Sequence, residues 1–110
     1  MIYICGPMSG IKDYNRPKFN RIAEEMRREG YDVFNPAEIK GQPNWGWQQY
    51  MRRAISGMMT CDLVYVLNGW ETSKGANIEI DLANKMDIEM VYEKDVNVKG
   101  LHNVIFKDVM

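Results

Sequence analysis

The run CDLVYVL, Cys61 to Leu67, constrains the fold most. Apart from Asp62 near its start the run is continuously apolar, and such a stretch reads as a strand buried on both faces, the kind found in parallel sheets. Such a strand needs helices above and below it. The rest of the chain supplies them in alternation. IYIC, Ile2 to Cys5, is a short apolar run stopped by Gly6-Pro7 and reads as a buried first strand. Asn15 is placed to cap a helix, and Pro17 is tolerated in a first turn. Phe19, Ile22, Ala23 and Met26 then form one apolar stripe, and Gly30 ends that helix.

YDVFNP reads as a second strand, closed by Asn35-Pro36. Ala37 to Gly46 is punctuated by Gly and Pro and reads as loop. Trp47 to Thr60 predicts a second helix, with Tyr50, Met51, Ala54, Ile55 and Met58 on one face. Gly57 works against it, because a glycine costs a helix interior about 1 kcal/mol. After the loop NGWETSKG, a third helix starts near Ser73 and continues to about Met86. IEMVY is a fourth strand and NVIF, Asn103 to Phe106, a possible fifth. The expectation is α/β: one Rossmann-like, three-layer domain over residues 1–110, with a mostly parallel sheet of four to five strands. Folds of this kind bind ligands at the carboxyl ends of the strands. The loops Gly6–Tyr14, Asn35–Trp45 and Asn68–Ser73 fall there.

A formal charge of −1 gives no pull towards nucleic acid or an acidic membrane surface. No stretch approaches the ~20 apolar residues of a membrane span. The apolar start is too short for a signal peptide, so a cytoplasmic protein is expected. Cys5 and Cys61 lack C-x-x-C spacing and read as buried free thiols. His102 is the single histidine, which argues against a His-rich zinc site or a Ser-His-Asp triad. No metal or redox cofactor is indicated. Any catalysis falls to carboxylates.

In CGPMSG, Gly6 and Gly10 allow a ligand close to the backbone, and Ser9 adds a hydroxyl; the same residues also suit a plain strand-to-helix turn. Ser73 is placed to cap the third helix, and Gly75 permits close approach to its positive end. Helical spacing sets Glu79 in line with Ala76, Ile80 and Ala83, while Asp81 points elsewhere. A carboxylate on an apolar stripe is costly unless it has partners or faces a cavity. Glu79 therefore either lines a site or reaches round to water, and the pattern alone leaves both open.

YICGPMSG, DLVYVLNGWETSKGANIE and the continuation EIDLA resemble the nucleoside 2-deoxyribosyltransferase-like superfamily, nearest to its small phage-type members. That group also holds deoxynucleoside 5'-monophosphate N-glycosidases. The likeness runs from Ile2 to about Met86. It implies that Glu79 is the nucleophile that attacks C1' of a deoxyribose, as in retaining glycosidases. It implies that Gly6, Ser9 and Gly10 hold the sugar-phosphate end, and that Ser73 contacts the 5'-phosphate. Asp62 matches a common aspartate, read here as structural because it falls at the amino end of its strand. One departure is plain. Relatives usually carry an aspartate eight residues before the Asp62 position, and this chain has Ala54. Proton delivery to the leaving base would then need another donor, such as Asp13, Tyr14, Glu71 or a neighbouring arginine.

Trp45 and Trp70 fall in loops at the ligand edge, where a ring could stack on a nucleobase; Trp47 opens a helix and reads as packing. Trp70 is taken as the pocket rim. Met26, Met51 and Met58 read as core or subunit contacts. Two functions follow from the resemblance: an enzyme that cleaves or transfers the N-glycosidic bond of a deoxynucleoside or its 5'-monophosphate, or a nucleotide-sequestering protein that lost turnover. The expected partners are a small nucleoside or nucleotide and further copies of the chain, as a homodimer or larger homo-oligomer.

Overall fold

A computed structural model describes residues 1–105. Four strands form one sheet in the order β2-β1-β3-β4: β1 Ile2–Cys5, β2 Val33–Phe34, β3 Leu63–Val66 and β4 Glu89–Tyr92. Every pairing is parallel, with Ile2 opposite both Val33 and Leu63, and Leu63 opposite Glu89. The helices are α1 Arg16–Arg28, α2 Trp47–Met58, α3 Lys74–Lys85 and α4 Leu101–Ile105.

The two central strands are buried on both faces, and their alternation divides the core in two. Ile2, Ile4, Leu63, Tyr65 and Leu67 meet Phe19, Ile22, Ala23 and Met26 of α1 and Leu101 of α4. Tyr3, Cys5, Val64 and Val66 meet Ala54 and Met58 of α2 and Ala76, Ile80 and Ala83 of α3. Each fully buried large apolar side chain is worth about 1.5–3 kcal/mol, so the central pair anchors both layers. The chain leaves β1 for the α1 face and leaves β3 for the α3 face. The strand order therefore reverses between β1 and β3, and in folds of this kind ligands bind outside the carboxyl ends of the strands at such a reversal.

Several expectations need correction. There is no fifth strand among the described residues: Asn103, Val104 and Ile105 lie in α4, and Phe106 falls outside them. Val98 and Leu101 enter the α1-side core, which suits a short helix lying across the layer. β2 shrinks to two residues, because Pro36 opens a 3-10 turn stabilised by Asn35, whose side chain accepts from Ala37 N at 3.0 Å. Asn15 does not cap α1 through its side chain. Its φ is 60°, and its amide donates instead to the Pro7 carbonyl at 2.9 Å. Tyr50 lies on the Gly41 backbone and edge-on to Trp45, outside the core.

Candidate functional site

Two loops leave the carboxyl ends of β1 and β3, on either side of that reversal. The first follows β1 and begins at Gly6, which is packed so closely that a β-carbon would lie 2.9 Å from Leu67. The second follows β3 and turns at Gly69, where φ is 92°. Leu67 N donates to Cys5 O at 2.8 Å, so the two strand ends are tied together. A β-carbon on Gly69 would sit 3.3 Å from Pro7, so the loops also meet beyond the strands.

The second loop is braced from within and from outside. Asn77 of α3 donates to the carbonyls of Trp70, Glu71 and Ser73. Glu93, just after β4, accepts from Asn68 N at 2.8 Å and from Lys18 of α1 at 2.9 Å. Neither brace was read from the sequence. Both rest on polar side chains, Glu93 and Asn77, whose partners a sequence pattern does not mark. Ser73 caps α3, accepting from Ala76 N at 3.1 Å. That cap fixes the phase of the helix: Ala76, Glu79, Ile80 and Ala83 all turn inward.

Glu79 is 5% exposed. The Tyr3 phenol donates to its carboxylate. The Cys5 thiol lies against the same carboxylate and 3.7 Å from the Ala76 carbonyl. Burial lifts the acid to about 7, opposed by the hydrogen bonds from Tyr3 and Cys5. Burial and the neighbouring carboxylate hold the phenol well above its usual range, so Tyr3 keeps its proton and remains a donor. No buried side-chain polar atom among the described residues lacks a partner. Tyr3 was missed in the sequence because it hides in the apolar run IYIC. Its parity was the available signal: Tyr3 and Cys5 are two apart and so share a face.

The other expected residues are placed as follows. Ser9 and Gly10 are exposed in the first loop, and Gly10 has φ 81°. Trp70 is half-buried and tilted against Tyr92, with ring centroids 5.8 Å apart. Gly75 does allow close approach, but what approaches is Met51 of α2: a β-carbon there would lie 3.1 Å from its sulfur. Trp47 stacks under the Lys74 ammonium, 4.6 Å from the ring centre. Ala54 is buried in the α2–α3 layer with Tyr3 and Cys5. Asp62 is exposed at the amino end of β3, 3.0 Å from the amino group of Met1. Asp81 is exposed and pairs with Lys85 at 2.9 Å. Cys5 and Cys61 are buried and free.

Two surface hollows are lined by other residues. One, of about 470 Å³, involves Met1, Arg27 and Tyr31 near the amino ends of β1 and β2. The other, of about 150 Å³, lies past β2 beside Phe34 and Arg53. Glu79 borders neither. Among the described residues no cluster of three or more His, Cys, Asp or Glu could hold a metal, and no helix is long and apolar enough to cross a membrane.

The fold and this arrangement define a class: a parallel α/β protein with a carboxylate sealed beneath the point where its strand order reverses. Within that class the chain belongs to the family described as "Domain of unknown function (DUF4406)", whose model matches residues 1–92. The match runs from β1 to the end of β4 and so contains the whole sheet. No curated protein and no solved structure matches.

Proposed function

We propose that the chain cleaves or transfers the N-glycosidic bond of a deoxynucleoside or its 5'-monophosphate. The observation that supports this most is the buried Glu79 carboxylate, held by the Tyr3 phenol between α3 and the sheet. A structural carboxylate at that depth is expensive, and an apolar residue would fill the layer at lower cost. In the proposed reaction one Glu79 oxygen attacks C1'. The bond from C1' to the base nitrogen breaks, its electron pair leaves with the base, and the sugar remains as an ester of Glu79. Water or a second base then attacks C1' and frees the carboxylate. Tyr3 orients the nucleophile. The first loop, with Gly6, Ser9 and Gly10, and the cap residue Ser73 receive the sugar-phosphate end, with Trp70 at the rim.

Deoxynucleoside 5'-monophosphates incubated with the protein should release free base, seen by HPLC, and Glu79→Gln should abolish the release. Because the attacking group must be ionised, the rate should rise with pH through about 7. Base release unchanged in Glu79→Gln would refute the assignment.

Ala54 supports a second reading, a nucleotide-sequestering protein. Its methyl group lies in the core layer where relatives are expected to carry an aspartate. Loss of acid–base assistance costs about 10²–10⁴-fold in rate. Thermal stabilisation by a nucleotide with no base released over days would select this reading. We further propose that the chain self-associates, which sedimentation at micromolar concentration would test.

A further inference from the structure

Cys5 is a buried titratable group that the proposed reaction does not use. It is fully buried, and its side chain leaves β1 on the same side as Tyr3, against the first turn of α3. Two acceptors meet it there. Its Sγ lies 3.7 Å from the Ala76 carbonyl, and the thiol also lies against the Glu79 carboxylate. The two acceptors adjoin because residues three apart on a helix are neighbours. The Ala76 carbonyl also receives the Ile80 amide within the helix, so it does not depend on the thiol. An ionised Glu79 does need further donors: a carboxylate accepts at two oxygens, and the Tyr3 phenol occupies Oε2. The other neighbours are already engaged or have no proton to give. α2 and β3 present Ala54, Met58, Val64 and Val66 to this layer. Cys61, after α2, donates to the Gly57 carbonyl at 3.4 Å, and Tyr92 of β4 packs on Trp70. Asp81, on the same helix as Glu79, is exposed and paired with Lys85. Burial, and then the carboxylate beside it, push the Cys5 thiol well above its usual range, so it keeps its proton and remains a donor.

We propose that Cys5 is a positioning residue for Glu79, its S–H turning from the Ala76 carbonyl to the carboxylate when the acid ionises. No proton changes hands: the S–H bond persists and only rotates. The anion gains a second buried donor and forms at a lower pH than Tyr3 alone would allow. The consequence for catalysis rests on the glycosidic reading of the site; the movement of the thiol does not. Cys5→Ala and Cys5→Ser both give up the sulfur's volume, and only serine keeps a proton to donate. The ionisation midpoint is followed by the infrared band of the Glu79 carboxyl group, identified by its loss in Glu79→Gln. It should rise by about half to one pH unit in Cys5→Ala and stay near the parent's in Cys5→Ser. Base release at pH 7 should fall about two- to fivefold in Cys5→Ala and recover at higher pH. In the parent protein the S–H stretching band should shift across the same midpoint and stay fixed in Glu79→Gln, with Cys61 giving a constant component. A midpoint that alanine leaves unmoved, or that alanine and serine move alike, would overturn the proposal. So would a parent S–H band that ignores the titration, whether or not the variants fold. A titration as expected with no base released from the parent would uphold the thiol's role and remove the glycosidic reading.

Discussion

The proposed reaction requires Glu79 to be ionised, yet its surroundings favour the neutral acid, which they lift from an ordinary 4.5 to about 7. That shift has a consequence for stability. The folded state binds the proton more tightly than the unfolded chain, so this residue's contribution falls as pH rises from about 4.5 through 7. The loss is on the order of 2–3 kcal/mol. Glu79→Gln stays neutral and keeps a carbonyl oxygen for the Tyr3 phenol. Urea unfolding at pH 5 and pH 8 should show the parent protein weakening between the two and the variant weakening much less. Parallel curves would mean that the carboxylate is better solvated than its 5% exposure implies. The helical phase that points Glu79 inward was legible from Ala76, Ile80 and Ala83. Its partners were not, because Tyr3 and Cys5 lie more than 70 positions earlier in the chain.

Among the elements, α2 shows how packing overrides propensity. Gly57 sits in mid-helix, where alanine is intrinsically better by about 1 kcal/mol. It is retained because the Phe34 ring lies on it: an added β-carbon would fall 2.3 Å from the ring edge. That contact docks α2 beside β2, with the Arg53 guanidinium on the ring, 5.1 Å from its centre. Gly57→Ala should therefore destabilise the protein by about 1–3 kcal/mol, the range for overpacking. Gly57→Ala with Phe34→Leu should recover part of the loss, read from the denaturant midpoint. A stabilised single variant would show that Phe34 can move aside. α1 and α3 were legible because each carries an inward stripe at helical spacing, and Gly30 stops the first of them. The NVIF segment was misread because a short apolar run has no period of its own, and the choice between strand and helix falls to what Leu101 and Val98 can pack against.

At the scale of the molecule, Glu93 joins three elements. It receives Lys18 from α1 and the Asn68 amide after β3, from its own place after β4. Its side chain and that of Lys18 are 20% and 26% exposed, so water screens the pair only in part. Glu93→Ala should release the Asn68–Ser73 loop, and hydrogen exchange at Asn68 should quicken while β1 and β3 stay protected. Unchanged exchange at Asn68 would show that Gly69 and Asn77 hold the loop unaided. The amino-acid sequence by itself determined the class of fold: apolar runs too continuous for a half-solvated sheet require helices on both sides, and Ser73 with its stripe sets the direction of Glu79. Tertiary structure alone decided three things. It placed the Tyr3 phenol against Glu79, closed Gly75 with Met51, and left Asp13 to Asn15 in left-handed backbone. The physical reason is common to all three. Periodicity reports which side of an element meets the core, whereas the partner that fills a given space depends on residues brought together from distant parts of the chain.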